Sequence, residues 1–233
     1  MPGTGSDDGR SARAVLFDID GTLITTGGAG GRAWARAFRQ LFGREADITR
    51  FSEVGMTDPD VARQTFVGTM GRDPSDDELA QLIMGYLRHL PGEVHGSEEY
   101  RIFEGVVDTL RGLADSGAVL GLVTGNIEGA ARIKMERSHL NRYFAFGGYG
   151  TDSRDRAELT RAAIDRAETL HGHDVDPSSI MVVGDTPRDI AAARAVGAIA
   201  VCVATGAYTG DQLREAGADH VLESFASAPF PDA

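Results

Sequence analysis

Four apolar residues, Ala14-Val15-Leu16-Phe17, run directly into Asp18-Ile19-Asp20-Gly21-Thr22-Leu23. No other stretch constrains the fold as tightly. A short apolar run stopped by a polar, glycine-containing segment reads as a buried strand whose carboxyl end lies at the stop. On an extended strand, residues i and i+2 share a face, so Asp18 and Asp20 are expected side by side. Like charges held together repel unless a cation or a shared proton relieves them. Two readings follow. In one, the pair belongs to a Mg²⁺ site, with one carboxylate a nucleophile and the other an acid–base group. In the other, it is an acidic strand-end turn facing water.

The 233 residues suffice for one α/β domain and a small inserted module. Met1–Ala12 is rich in Gly, Ser and Asp, cannot bury a core, and is expected to be a disordered tail. The core domain is expected over residues 13–26 and 99–233, with an α-helical cap domain over 27–98. Gly27–Gly31 reads as a hinge, since it lacks the Lys-Ser/Thr ending of a phosphate-cradling loop. Trp34, Phe38, Leu41 and Phe42 then recur at helical spacing before Gly43. A second helix is expected from Pro59 to Met70 with Asp58 as its N-cap. A third is expected from Ser75 to His89, with acids in its first turn and Pro91-Gly92 as its stop. No strand pattern interrupts this segment.

Beyond it, strands and helices alternate. Helices are expected over 105–116, 126–137, 156–170, 187–196 and 209–216. Unbroken apolar strands are expected at 118–123, 180–183 and 199–203. Tyr143–Phe146 is expected as a short strand turned by Gly147-Gly148, and His220–Leu222 as the last. Continuous apolar strands separated by helices indicate an α/β, Rossmann-like parallel sheet covered on both faces.

Net charge is −12, which argues against nucleic acid or an anionic membrane as partner. No apolar run is long enough to span a bilayer, and the N-terminus lacks a basic-then-apolar leader, so a cytoplasmic location is expected. Cys202 is the only cysteine and lies in the apolar run Ile199–Val203, as a structural thiol would. An acidic chain that handles an anion needs local cations, a metal and a few arginines. Lys134 is its only lysine.

Ligands of parallel sheets gather at the carboxyl ends of the strands. Three such ends carry polar groups: Asp18 with Asp20, Thr124, and Asp185. Taken singly, Thr124-Gly125-Asn126 could be a helix cap, Asp185 could cap the helix at Pro187, and Asp189 could be an exposed first-turn acid. Together, on successive strands, they point to one site. In this order Asp18-Ile19-Asp20-Gly21-Thr22, Thr124-Gly125-Asn126 and Gly184-Asp185-Thr186-Pro187-Arg188-Asp189 resemble the signatures of the haloacid dehalogenase-like phosphohydrolases. The resemblance covers about Ala14 to Leu222 and is weakest in the helical insert.

The resemblance implies that Asp18 is the nucleophile and forms an aspartyl-phosphate. Asp20 would protonate the leaving alcohol and then deprotonate water. Mg²⁺ would be held by the Asp18 and Asp185 carboxylates and the Asp20 backbone carbonyl. Thr124, Gly125 and Asn126 would bind the phosphoryl oxygens, and Asp189 would orient the metal ligands. The family most often adds a lysine between the Phe144 strand and Asp185. This chain has none there; Arg156 is the closest match and Arg154 the alternative, either as a surface residue or as the group bridging Asp18 and the phosphate. Thr25-Thr26 stands where capped relatives commonly have Asp-Ser.

In the insert, Gly55-Met56-Thr57-Asp58, Arg32 and Trp34 are candidates to contact the leaving group, or else to pack the cap. The resemblance is to phosphoglycolate-phosphatase-like hydrolases, implying a small phosphorylated metabolite as substrate and a monomer or homodimer. A cap without lysine argues against a phosphonoacetaldehyde hydrolase, and the presence of Asp20 against a dehalogenase. A phosphomutase shares every core residue and stays open, as does a non-catalytic module on the same scaffold. A receiver domain has no reason to carry this first signature with a large helical insert.

Overall fold

A computed structural model describes residues 14–172 and 175–231. The expected tail, Met1–Ala12, lies outside the described residues. The strands are β1 (Ala14–Phe17), β2 (Ile24–Thr25), β3 (Arg101–Ile102), β4 (Val119–Thr124), β5 (Phe146–Tyr149), β6 (Met181–Gly184), β7 (Ile199–Val203) and β8 (His220–Leu222). The helices are α1 (Ala29–Phe42), α2 (Asp58–Met70), α3 (Asp76–His95), α4 (Val106–Asp115), α5 (Glu128–Glu136), α6 (Arg156–His171), α7 (Pro187–Val196) and α8 (Gly210–Ala216).

Six strands form one parallel sheet in the order β5-β4-β1-β6-β7-β8. All four residues of β1 are buried, and they alternate between two cores. Val15 and Phe17 pack with α4 and α5 through Val106, Leu110 and Met135. Ala14 and Leu16 pack with α6, α7 and α8 through Leu159, Ile190 and Leu213. This is the α/β parallel sheet, helices on both faces, that the unbroken apolar runs imply. β1 is the central strand, and the chain leaves it toward β4 on one side and β6 on the other. Such a reversal opens a crevice at the strand's carboxyl end, which places the residues after β1, β4 and β6 beside one another.

Residues 29–95 form three helices around a core of their own: Trp34, Phe38, Phe66, Leu82, Tyr86 and Leu90. Ile127 and Ala130 of the sheet domain share that core, so the helical segment leans on α5. Its two connections to the sheet pair with each other as the antiparallel β2 and β3, which two-residue strands left invisible to any periodicity.

β1 spans Ala14–Phe17, the expected first strand. Three expectations need correction. α3 runs through Pro91-Gly92 to His95. Its apolar stripe Leu82-Tyr86-Leu90-Val94 continues past the proline, and Arg137 Nη1 donates to the Val94, His95 and Ser97 carbonyls at its end. β5 contains Gly147-Gly148 instead of ending at them. A Cβ on Gly148 would overlap the backbone of Leu159, so the glycines let α6 pack close against the strand. Finally, Thr57 rather than Asp58 caps α2, its hydroxyl accepting from Asp60 N. Asp58 is buried elsewhere, as described below.

Candidate active site

The turn after β1 is built around Gly21, at φ 83°. A side chain there would be strained, and a Cβ would also strike the Asp185 carboxylate. Gly21 N donates to Ile24 O at 3.0 Å, and the Thr22 and Leu23 amides turn back to Ile19 O. Asp18 N donates to Val183 O at 2.8 Å, fastening the turn to β6. Thr22 Oγ1 donates to Asp185 Oδ1 at 3.1 Å. Gly206 also approaches the Asp185 carboxylate, with no room for a Cβ.

Asp18, Asp185 and Asp189 are buried, and one carboxylate oxygen of each lies within 4.8 Å of the others. Burial pushes the Asp18 carboxyl up; Arg156 opposes this, Asp189 and Asp20 add to it, and the result is about 6. Burial and the neighbouring Asp18 and Asp189 push Asp185 up to about 8. The protein's own cations do not fully offset this group of acids.

The cation they have is Arg156, at the start of α6. Its Nη2 lies 2.7 Å from Asp18 Oδ2 and 2.7 Å from Asp189 Oδ1, and its Nε donates to Asp189 Oδ1 at 2.8 Å. Asp189 spends its other oxygen on Thr186, accepting from the backbone N at 3.0 Å and from Oγ1 at 2.7 Å. Both Asp189 oxygens are thus engaged by protein donors, and Asp18 and Asp185 keep more coordination capacity. Arg154, the alternative, is exposed and pairs with Asp60.

At the end of β4, Thr124 is fully buried. Its hydroxyl accepts from Asn126 Nδ2 at 2.7 Å and from Asn126 N at 3.2 Å. With both lone pairs used, its proton is left to donate. Asn126 Nδ2 also reaches Asp20 Oδ2 at 2.8 Å. A cavity of about 250 Å³ joins Asp18, Asp20, Thr124 and Arg156 to Trp34, Met56 and Tyr86 of the helical segment. Trp34 and Tyr86 stack with ring centres 3.9 Å apart.

The helical segment docks on the Thr124 loop. Asp58 N donates to Gly125 O at 2.8 Å, and Ile127 N donates to Asp58 Oδ2 at 2.9 Å. A Cβ on Gly125 would overlap the Met56 carbonyl oxygen. Burial pushes the Asp58 carboxyl up to about 6, although Lys134 and the Ile127 amide lower it.

The structure therefore brings Asp18, Asp20, Thr124, Gly125, Asn126 and Arg156 around one cavity, with Asp185 and Asp189 beside Asp18. Of the insert candidates, Trp34, Gly55, Met56 and Asp58 line the cavity; Arg32 instead pairs with Glu93 at 2.8 Å on the surface. Among the cavity residues that the sequence reading does not single out are Tyr86 and Lys134. Lys134 is buried on α5 with Nζ 2.7 Å from Asp20 Oδ2 and 2.6 Å from Asn126 Oδ1. A signal existed: Lys134 shares the buried helix face of Ala130, Ala131 and Met135. Cys202 is buried, and burial first of all pushes its thiol up to about 12. Among the described residues no helix is long and apolar enough to cross a membrane.

A family model for haloacid dehalogenase-like hydrolases matches residues 12–197. The phosphoglycolate phosphatase of Thiobacillus denitrificans is 28% identical over 93% of this chain and 93% of that protein. That of Salmonella typhi is 28% identical over 93% and 90%. Among solved structures, CbbY from Rhodobacter sphaeroides in complex with phosphate superposes with a TM-score of 0.73 at 20% identity, covering 92% of this chain and 95% of that one. A model match over most of the chain, on a fold that carries all three signatures to adjoining strand ends, establishes that this protein belongs to the haloacid dehalogenase-like hydrolase family.

Proposed function

We propose that this enzyme is a Mg²⁺-dependent phosphatase that hydrolyses a small phosphate monoester, phosphoglycolate-like or a sugar phosphate, through an aspartyl-phosphate. The observation that carries the reading is the environment of Asp18: a buried carboxylate on a cavity wall, paired with Arg156 and adjoining Asp185 and Asp189. The residues fit a hard divalent cation. Their donors are carboxylate oxygens, burial and mutual repulsion raise the pKa values of Asp18 and Asp185, and two glycines hold Asp185 in a cradle that a Cβ would fill. Asp18, Asp185 and the Asp20 carbonyl would hold the ion. When bound it supplies Lewis-acid stabilisation of phosphoryl charge and relieves the repulsion among the acids.

The side chains then divide the work. An Asp18 oxygen forms the new bond to phosphorus as the ester P–O bond breaks. Asp20 gives its proton to the departing alcohol oxygen, then takes one from the water that hydrolyses the aspartyl-phosphate. Arg156 and the Thr124 hydroxyl stabilise charge on the phosphoryl oxygens, with Asn126 holding Thr124. Asp189 positions Arg156. Residues 27–98 act as a cap: Met56 and Asp58 close on Gly125, and the Trp34–Tyr86 pair walls the space for the leaving group. A cavity of about 250 Å³ suits a small ester. The phosphoglycolate phosphatases to which the chain is similar favour a hydrolase over a mutase.

The test is hydrolysis of an aryl phosphate with and without Mg²⁺ beside Asp18→Asn, followed by a panel of small esters. Mg²⁺-dependent phosphate release that the variant lacks, with its fold intact, is the expected result. Near-wild-type turnover by Asp18→Asn would remove Asp18 as nucleophile. Release from no ester would shift the reading to a mutase or a non-catalytic module.

A further inference from the structure

The catalytic reading leaves one buried ion unused. Lys134 is the only lysine in the chain, and its side chain is 9% exposed. Burying an ammonium is costly unless it is paired and hydrogen-bonded. Lys134 is both. Burial opposes its charge, but Asp20 and Asp58 more than offset this and hold its pKa above the ordinary lysine value. Arg156 already serves Asp18 and Asp189, so Lys134 does not duplicate it. Its hydrogen bonds go to Asp20 and to the residue that also holds Asp20, Asn126.

These contacts are unequal between the two oxygens of Asp20. Oδ2 accepts from Lys134 at 2.7 Å and from Asn126 at 2.8 Å. No described residue makes a hydrogen bond to Oδ1, although the side chain is 42% exposed and lines the cavity. An oxygen engaged by two donors has no place for a proton of its own.

Resting on the phosphatase reading, we propose that Lys134 is a positioning residue. With Asn126 it holds Asp20 by Oδ2, so that Oδ1 is the oxygen turned to the ester. As the P–O bond breaks, its electron pair goes to the alcohol oxygen. The Oδ1 proton goes to that same oxygen, and an Asp18 oxygen makes the new bond to phosphorus. The hydrogen bonds of Lys134 go to Asp20 and Asn126, and it acts on the reaction through Asp20.

This role makes its loss depend on the leaving group. An alkyl alcohol needs a proton in order to depart, and 4-nitrophenolate does not. kcat/KM reports the steps up to loss of the leaving group, so the comparison is insensitive to later hydrolysis of the aspartyl-phosphate. In Lys134→Met, kcat/KM for a small alkyl phosphate should fall by about 10²-fold, the usual scale of general acid catalysis. For 4-nitrophenyl phosphate the fall should be under about 5-fold. Asp20→Asn should show the same selectivity, and the double variant should lose little more than Asp20→Asn alone.

An equal loss on both esters, losses that multiply in the double variant, or no loss at all would each overturn the proposal. A wild-type enzyme that releases phosphate from both esters with Mg²⁺ keeps the phosphatase reading intact in those cases. A wild type that hydrolyses neither sinks both. Should Lys134→Met not fold, Lys134→Met with Asp58→Asn removes one buried charge of each sign, and that pair is compared on both esters with Asp58→Asn.

Discussion

Arg156 Nη2 lies 2.7 Å from Asp18 Oδ2, and both side chains are buried. The contact joins the N-terminus of α6 to the turn after β1, and Asp189 closes it from α7. Arg156→Ala leaves two buried carboxylates without their cation. Stability should fall by about 3–5 kcal/mol in urea melts, as when one partner of a buried pair is removed. kcat should fall by about 10²–10³-fold, the scale of a lost charge-stabilising donor. Arg156→Lys restores a charge but cannot bridge both acids, so it should recover stability more than kcat. Wild-type kcat in Arg156→Ala would contradict the assignment.

Asp18 and Asp185, two buried carboxylates with raised pKa values beside Asp189, should make the protein gain stability from a divalent cation whether or not substrate is present. Mg²⁺ at about 100 times its Kd should stabilise by about 2.7 kcal/mol, which for a chain of this size is a Tm rise of about 5–10 °C. Asp185→Asn should abolish the rise. An unchanged Mg²⁺ response in that variant would place the ion elsewhere.

Gly125 is where the helical segment meets the β4 loop. Gly125→Ala should obstruct docking of the Met56 carbonyl while sparing the sheet. Misplacing an enclosing segment by about 1 Å can cost about 10²-fold, so kcat/KM should drop on that scale with little change in Tm. Faster proteolytic cleavage between Ser52 and Asp58 should accompany it. Undiminished kcat/KM would mean that closure on Gly125 is dispensable.

Asp58 supplies a pH dependence with a definite sign. Its carboxyl rises from 3.8 to about 6 on folding, chiefly by burial. The folded state therefore prefers the protonated form. The stability this contributes is complete below about pH 4 and is lost as pH rises through about 6. The shift corresponds to a penalty on the order of 3 kcal/mol at neutral pH. Asp58→Asn keeps an oxygen to accept from Ile127 N and removes the penalty. The stability of the variant relative to wild type should thus grow between pH 4 and pH 6 and level off above. A constant difference across that range would show that Asp58 does not titrate there.

Much of this was legible from residues alone. β7, β8 and α7 fall at the residues the apolar runs and the Pro187 and Gly197 boundaries indicate, because those signals are local. Arg156 was separable from Arg154 only by what each touches: Asp18 in one case, a surface acid in the other. Asp58 looked like a helix cap because Thr57 and Asp58 are both capping types. The choice between them depends on Ile127, which is distant in sequence.

The sequence by itself determined the alternation of buried strands and helices, and with it the strand ends where Asp18, Thr124 and Asp185 stand. Periodicity, caps and strand-end chemistry are written within a few residues of one another. Tertiary structure decided the rest: that α3 continues past Pro91, that β5 runs through two glycines, and that Lys134 is a buried partner of Asp20. Each of these depends on how closely segments far apart in the chain approach. α6 lies against Gly148, Arg137 receives the end of α3, and the ammonium of Lys134 stays buried because Asp20 and Asp58 offset its charge.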